Sequence, residues 1–248
     1  MEKKRKPAVS GNAMGPGENT GSPTIIVIGI TGSGKSKFIR LAKGCTDDKI
    51  SPELPSVGHG LESETQDVKL FSCTNPNPSS ESVCLVDTPG FNDSSGSDDE
   101  ESLKKIIEWL KTEPQSNVHR FIYLHDISEC KVRKAVKPSA IPKPPGTLVV
   151  TTKWSEKTTS KANPKVDQDR KEKLDRLKNL PKQTGFPDVS SILCLDDETP
   201  KSAWKIIDAA QVSAVPKKRI QLAAELEKIW VAKPSKSLFK KVYKWLFR

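Results

Sequence analysis

Short apolar runs alternate along this 248-residue chain with segments whose apolar residues recur at helical spacing. The runs predict strands at 25–28, 68–73, 83–86, 121–124, 147–151 and 192–195. The predicted helices lie at 35–43, 102–111 and 167–179, and a last helix opens at 202. In the second of these helices, Leu103, Ile106, Ile107 and Leu110 fall on one face. Because strands and amphipathic helices alternate, the pattern predicts an α/β fold around a mostly parallel six-stranded sheet.

A glycine-rich segment, GITGSGKS at 29–36, follows the first strand and precedes the first helix. This order of elements, with the spacing Gly-x-x-x-x-Gly-Lys-Ser, is the signature of a phosphate-binding loop. Gly32 and Gly34 let the backbone curl, so the successive amides from 33 to 36 can face phosphate oxygens. Lys35 can place its ammonium between the β- and γ-phosphates, and the Ser36 hydroxyl can bind Mg²⁺. The predicted nucleotide-binding residues here are Gly29, Thr31, Gly32, Ser33, Gly34, Lys35, Ser36 and Lys37.

A second motif, Asp87-Thr-Pro-Gly90, ends the apolar strand at 83–86. A carboxylate at the tip of a buried strand beside the phosphate loop can hold Mg²⁺ through a water. Gly90 has no side chain, so its amide can approach the γ-phosphate closely. We therefore predict that both residues bind the nucleotide. Asp87 joins Ser36 as a metal-binding residue, and Gly90 joins Lys35 as a catalytic residue.

The net charge of +10 is placed unevenly along the chain. Residues 1–22 hold four Lys or Arg and two Glu, a net charge of +2. Residues 217–248 hold ten Lys or Arg and two Glu, a net charge of +8, so the region between is neutral. A neutral core with a basic tail is not the charge layout of a nucleic-acid-binding domain, and we expect no nucleic-acid partner.

The five cysteines are scattered and form no C-x-x-C pair, which is typical of reduced thiols in the cytoplasm. No run of 18 apolar residues predicts a transmembrane helix, and the N-terminus has no apolar stretch typical of a signal peptide. We therefore expect a cytoplasmic protein.

Further stretches accompany the two motifs. The full set is GITGSGKS at 29–36, HGLESETQ at 59–66, DTPGF at 87–91, YLHDIS at 123–128, TTKW at 151–154 and SAWKII at 202–207. Over residues 24–210 the chain thereby resembles the fungal G-domain-containing P-loop GTPases. Those are related to the septin-like group of immunity-associated and chloroplast import receptor GTPases. The resemblance implies a Ras-like P-loop NTPase three-layer fold, binding of GTP and Mg²⁺, slow hydrolysis and a homodimer across the nucleotide face.

The resemblance also implies roles for residues outside the phosphate loop. Thr65 precedes the second strand, where such GTPases carry a threonine that closes over Mg²⁺ and the γ-phosphate. We therefore assign it metal-binding and catalytic roles, with strand capping as the alternative. Thr152 and Lys153 stand at the Asn-Lys positions of the guanine-reading Asn-Lys-x-Asp motif and are predicted to bind the nucleotide. Ser155 replaces the aspartate and cannot supply a bidentate carboxylate. Guanine selectivity then rests on Glu156 or on weaker contacts.

Two features depart from the Ras-like pattern. Phe91 follows Gly90, where Ras-like members carry the glutamine that orients the attacking water. We therefore expect slow unassisted hydrolysis, on the order of 10⁻⁴ to 10⁻³ s⁻¹. The segment 131–146 is rich in proline, which predicts a shortened crossover after the fourth strand.

We divide the chain into a disordered basic tail at 1–22, a G domain at 23–212 and a basic amphipathic helical tail at 213–248. The C-terminal tail is predicted to form helices at 216–231 and 237–248. In the second helix, apolar residues recur at helical spacing and lysines fall largely on the other side. Peripheral contact with an anionic membrane surface fits this pattern, and docking of the helix onto the G domain is the alternative.

Three functions remain open at this point. The first is a nucleotide-controlled switch in which Mg²⁺ and GTP order the loops around Thr65 and Gly90. The second is a nucleotide-binding scaffold without useful hydrolysis, which Phe91 and Ser155 favour. The third is an ATP-using P-loop enzyme, which the Asp-Thr-Pro-Gly-Phe and Thr-Lys segments disfavour because they fall where a GTPase needs them.

Overall fold

The computed structural model describes residues 22–46, 54–55, 67–78, 80–91, 98–112, 117–127, 146–154, 168, 171–172, 174–175, 192–195, 197–212 and 216–231. The strands are β1 (Thr24–Gly29), β2 (Lys69–Cys73), β3 (Val83–Asp87), β4 (Asn117–Asp126), β5 (Thr147–Thr152), β6 (Ile192–Cys194) and β7 (Lys217–Lys218). The helices are α1 (Lys35–Ala42), α2 (Asp98–Thr112), α3 (Pro200–Gln211) and α4 (Arg219–Val231). Residues 168, 171–172 and 174–175, inside the helix predicted at 167–179, are also helical.

The six longer strands form one sheet in the order β2-β3-β1-β4-β5-β6. The edge strand β2 is antiparallel to β3, whereas β3, β1, β4, β5 and β6 run parallel to one another. Every residue of β1 is buried, as expected for an apolar central strand covered on both faces. The predicted Ras-like, mostly parallel α/β fold is confirmed.

Helices cover both faces of the sheet, which gives three layers. On one face, Phe38 and Ile39 of α1 pack with Trp204 and Ile207 of α3 against the sheet. The other face is covered by α2 and α4. The side chains of β1 pack alternately into the cores on the two faces, because successive side chains of a strand point in opposite directions.

A short seventh strand joins the six predicted strands in the sheet. Lys217 and Lys218 of β7 pair antiparallel with Val118 and Asn117 at the start of β4. Two consecutive lysines carry no strand pattern, and their position beside β4 provides the partners for their backbone groups. The helix predicted at 216–231 accordingly begins at Arg219.

Helix α4 packs on the body of the domain although it lies in the segment predicted as a tail. Leu222, Ala223 and Leu226 are buried in the same cluster as apolar residues of α2. The Arg219 guanidinium also lies 4.1 Å from the centre of the Trp109 ring, a cation–π contact. The boundary at 212 stays a prediction, but the packing continues across it to Leu226.

Several predicted features lie outside the described residues: the helix at 237–248, the proline-rich crossover at 131–146 and the tail at 1–21. The part of the chain that the structure describes contains no helix with the length and apolar character needed to cross a membrane.

Candidate nucleotide-binding site

The glycine-rich loop lies at the edge of the sheet where the parallel strands end. β1 leads into it, its neighbours β3 and β4 end at Asp87 and Asp126, and β5, which lies beside β4, ends at Thr152. Parallel strands bring their carboxyl ends to one edge, so polar side chains from distant parts of the sequence meet around the loop. In open α/β sheets this edge is the usual ligand-binding crevice.

Two glycines shape the loop through their backbone conformation. Gly32 has a φ of 78° and Gly34 a φ of 89°, both in the left-handed region that strains any other residue. Gly34 is also the residue from which α1 begins. The first N–H groups of a helix have no partner within it, and together with the helix dipole they favour an anion at this end.

Lys35 is buried inside the loop. Its ammonium donates to the carbonyl oxygens of Gly29, at 3.3 Å, and Ile30, at 3.0 Å. Burial lowers the pKa of Lys35 from 10.5 to about 8, and the nearby Asp87 carboxylate opposes this shift. A desolvated ammonium enclosed by the loop is suited to an oxyanion, whose charge would replace the lost hydration.

Ser36 and Asp87 form the oxygen-rich part of the site. The Ser36 hydroxyl donates to Oδ2 of Asp87 at 2.8 Å, although the two residues lie 51 positions apart. Asp87 is buried at the end of β3. Hydroxyl and carboxylate oxygens are the ligand types that Mg²⁺ prefers. Two of the three donors that the sequence predicts for the metal are therefore brought together, and their chemistry fits Mg²⁺.

The 88–91 segment is paired with the phosphate loop. The Thr31 N–H donates to the Phe91 carbonyl at 2.9 Å, and the Phe91 N–H donates to the Gly29 carbonyl at 3.2 Å. Gly90 lies so close to Thr31 that a Cβ on Gly90 would stand 2.3 Å from Oγ1 and 2.7 Å from Cα of Thr31. Glycine is therefore required at 90 by the packing of the two loops.

Gly90 is also connected to a helix. The Ser102 hydroxyl, on α2, donates to the Gly90 carbonyl at 3.0 Å. A displacement of Gly90 therefore acts directly on α2. Ser102 was not among the predicted site residues, because its only signal in the sequence is a hydroxyl at the start of an amphipathic helix shortly after the Asp-Thr-Pro-Gly motif.

Phe91 does not face the site. Its side chain is fully buried and packs in the cluster beneath α2. The position that carries the water-orienting glutamine in Ras-like members is here a core position. The backbone of Phe91 pairs with the phosphate loop and extends the β3–β1 ladder by one bridge. This pairing fixes the backbone at Phe91 and with it the direction of the side chain.

Thr152 and Lys153 reach the loop from β5. The Thr152 hydroxyl donates to the Ser33 carbonyl in the loop at 2.9 Å, with a longer contact of 3.3 Å to the His125 carbonyl. Lys153 has a φ of 58°, and its ammonium lies 2.6 Å from the Asp126 carboxylate. The structure thus brings together the phosphate-loop residues, Asp87, Gly90, Thr152 and Lys153.

Lys37 forms a second charged pair, which connects α1 to the loop after β6. Its ammonium lies 2.5 Å from Oε2 of Glu198, whose φ is 45°. Glu198 and Asp126 were not among the predicted site residues. Their only signal in the sequence is an acidic residue shortly after an apolar run, a pattern too common to select them without the strand order.

Thr65, Ser155 and Glu156 lie outside the described residues. The roles predicted for them, closure over Mg²⁺ for Thr65 and base recognition for the other two, stay predictions.

No family model matches the sequence, and no curated protein matches it. Similar solved structures include Toc33 from Arabidopsis thaliana in complex with GDP and Mg²⁺, at 16% identity and a TM-score of 0.48, covering 79% of this chain and 86% of Toc33. Era from Aquifex aeolicus bound to GDP·AlF₄⁻ has 14% identity and a TM-score of 0.44, covering 77% of this chain and 56% of Era. SelB from Methanococcus maripaludis, in complex with a GTP analogue, has 11% identity and a TM-score of 0.43, covering 78% of this chain and 34% of SelB. Because these TM-scores are below 0.5, we base the functional proposal on this chain's own residues.

Proposed function

We propose that this protein binds GTP together with Mg²⁺, hydrolyses it slowly and acts as a nucleotide-controlled switch. The observation that supports this best is the convergence of three groups on one loop. These are the buried ammonium of Lys35, the hydrogen-bonded oxygens of Ser36 and Asp87, and the close-packed backbone of Gly90. This set matches what phosphoryl transfer needs, namely positioning and charge stabilisation.

Each group has a distinct task in the proposal. The loop backbone and Lys35 bind the phosphates and stabilise the negative charge that develops on them. Ser36 and Asp87 would hold Mg²⁺, which when bound neutralises phosphate charge. The Gly90 N–H is the donor available to the γ-phosphate. The reaction is attack of water on the γ-phosphorus, which gives GDP and inorganic phosphate.

The connection from Gly90 to α2 supports the role as a switch. A γ-phosphate that draws the Gly90 N–H towards it also displaces the carbonyl to which Ser102 donates. α2 packs in turn on α4, where Trp109 lies beneath Arg219. The presence or absence of one phosphoryl group would thus be transmitted to two helices.

Slow hydrolysis follows from the burial of Phe91. No side chain at position 91 can orient the attacking water while it belongs to the core. The same burial supports the second candidate function, a nucleotide-binding scaffold without useful turnover. The resemblance to fungal G-domain proteins supports guanine rather than adenine as the base.

Isothermal titration with GTP, GDP and ATP, each with and without Mg²⁺, tests the proposal. We expect GTP and GDP to bind and Mg²⁺ to strengthen the binding of GTP. Binding of ATP more tightly than GTP would instead favour an ATP-using enzyme, and binding of no nucleotide would refute the site. The turnover of bound GTP then separates the switch from the scaffold. Release of phosphate on the order of 10⁻⁴ to 10⁻³ s⁻¹ supports the switch, and no release supports the scaffold.

A further inference from the structure

Lys153 and Glu198 share an unusual backbone conformation. Among the residues that the structure describes, they are the two non-glycine residues with positive φ, at 58° and 45°. Such a conformation is unfavourable for a residue with a side chain and persists where the surroundings impose it, often at ligand sites. Both residues follow strands that end beside the phosphate loop. For Lys153, the contacts show how its side chain and the preceding backbone are held.

The Lys153 side chain is held at its far end by Asp126. Its ammonium lies 2.6 Å from Oδ2 of Asp126, the last residue of the neighbouring strand β4. Asp126 is only 4% exposed, whereas about half of the Lys153 side chain is accessible. The methylene stem therefore spans from the end of β5 to the end of β4, with its charge turned inward. An exposed lysine would otherwise keep its ammonium in water.

The backbone at this point is fixed relative to the phosphate loop. The hydroxyl of Thr152, the preceding residue, donates to the Ser33 carbonyl at 2.9 Å. The Thr152 carbonyl accepts from the Ile127 N–H at 3.2 Å, just beyond Asp126. The Lys153 stem thus lies at a fixed place beside the loop that would hold the phosphates. Lys153 stands at the lysine position of the guanine-reading motif that the sequence resembles, so the proposed nucleotide would have its base near this stem.

We propose that Asp126 is a positioning residue for the nucleotide base. It anchors the Lys153 ammonium so that the methylene stem provides a preformed surface for one face of the ring. This inference rests on the proposed nucleotide binding and assigns to Asp126 no contact with the base. Its physical basis is preorganisation, because a side chain fixed before binding does not lose rotamer freedom when the ligand arrives.

The Asp126→Asn variant tests this role because it removes the charge and keeps the size. We measure its dissociation constants for Mg²⁺·GTP and for Mg²⁺·tripolyphosphate, which has the phosphates but no base. We expect GTP to bind roughly three- to tenfold more weakly, the cost of immobilising one long side chain, and tripolyphosphate to bind unchanged. Asp126→Glu, which keeps the carboxylate, should recover part of the loss. Asp67→Asn is the matched control, because that side chain is 75% exposed and lies 4.0 Å from Lys105.

A double-mutant cycle with Lys153→Met makes the test specific to the pair. Methionine keeps an apolar stem and removes the ammonium, so Asp126→Asn should cause no further loss of GTP affinity in its presence. Should Asp126→Asn fail to fold, the comparison of GTP with tripolyphosphate is made on Lys153→Met alone, with the same expectation.

Two results would overturn the inference: unchanged GTP affinity, or an equal loss for GTP and tripolyphosphate, which would make Asp126 a merely structural residue. Failure of the wild-type protein to bind either ligand would refute the proposed nucleotide binding instead, so the two failures are distinguishable.

Discussion

The two sides of the candidate site are built differently. The phosphate side, residues 29–36 with Asp87 and Gly90, consists of backbone in close contact, left-handed glycines and buried charge. The side proposed for the base, residues 152–153 with Asp126 and Glu198, contains two ion pairs, and in each pair one partner, Lys153 or Glu198, has a positive φ. The phosphate side brings together Lys35, Ser36, Asp87 and the backbone of Gly90. On the base side, serine occupies position 155, where the aspartate of the Asn-Lys-x-Asp motif would stand.

The difference shows how recognition depends on the ligand group. Phosphate is recognised by backbone N–H groups, a helix N-terminus and one cation. This recognition does not depend on a defined pattern of side-chain hydrogen bonds. A purine edge is discriminated by hydrogen bonds in a defined pattern, which requires a carboxylate in one place. We therefore expect tight phosphate binding with modest base selectivity, and the following changes separate the two properties.

Lys35→Ala should have the largest effect. It removes the ammonium from the phosphate loop, and hydrogen bonds to charged groups contribute about 1.5–3 kcal/mol each, so we expect GTP affinity to fall about a hundredfold or more. GTP and ATP should be affected alike, because the loss is on the phosphate side. The matched control is Lys43→Ala, at the end of the same helix, where the ammonium is an exposed donor to the Ser72 carbonyl. A Lys35→Ala protein that binds GTP as the wild type does would refute the phosphate-loop assignment.

Phe91→Gln should destabilise the protein without accelerating hydrolysis. The side chain is fully buried, and truncation of a core phenylalanine costs about 3–5 kcal/mol, so we expect a loss near that range in urea unfolding. Since the side chain faces the core, the introduced glutamine cannot orient water at the γ-phosphate. Single-turnover hydrolysis that became many times faster would show that position 91 faces the nucleotide after all.

Gly90→Ala should separate the two loops that meet at Thr31. The added methyl would stand 2.3 Å from Thr31 Oγ1 and 2.7 Å from its Cα, so the 88–91 segment must shift. Such overpacking costs about 1–3 kcal/mol in stability, and we expect hydrolysis to fall as well because the Gly90 N–H moves. Gly146→Ala is the control, since its added Cβ would meet no atom closer than 3.9 Å. Equal unfolding midpoints and hydrolysis rates for the two variants would contradict the close packing.

Ser155→Asp should sharpen the base side alone. A restored carboxylate can accept two hydrogen bonds from guanine, and one charged hydrogen bond is worth about 1.5–3 kcal/mol, so the ratio of GTP to ATP affinity should rise roughly tenfold or more. Binding of tripolyphosphate should stay unchanged, which is measured in the same titrations. An unchanged ratio would place residue 155 away from the base.

The pH dependence should be the smallest effect and belongs to the phosphate side. The free protein's Lys35 has a pKa of about 8, and a bound triphosphate raises this pKa, so binding takes up a proton above pH 8. GTP affinity should therefore fall several-fold between pH 8 and 9, with ATP falling in parallel. Stability of the free protein has the opposite slope. The folded pKa lies below the unfolded value of 10.5, so stability should rise with pH between about 8 and 10.5. A GTP affinity that is constant between pH 8 and 9 would contradict the lowered pKa of Lys35.

Local sequence determined the strands, the helices and the phosphate loop. Hydrophobic periodicity and the spacing of Gly29, Gly34, Lys35 and Ser36 depend on neighbouring residues only, so they are readable without the fold. Within the described residues, the six predicted strands and the helices predicted at 35–43, 102–111 and 216–231 lie where the structure has them, with differences at their ends. β4, for example, begins at Asn117 rather than at 121, because polar residues at its start conceal the hydrogen-bonded ladder.

Only the tertiary structure decided which distant residues meet. The pairing of Ser36 with Asp87 and of Lys153 with Asp126, the contact of Gly90 with Thr31, and the pairing of β7 with β4 all join segments far apart in the chain. The direction of the Phe91 side chain could not be predicted from the sequence either, since an isolated phenylalanine after a glycine fits a loop or a core. These features depend on strand order and register, which place the carboxyl ends of β1, β3, β4 and β5 side by side, and no local pattern encodes that adjacency.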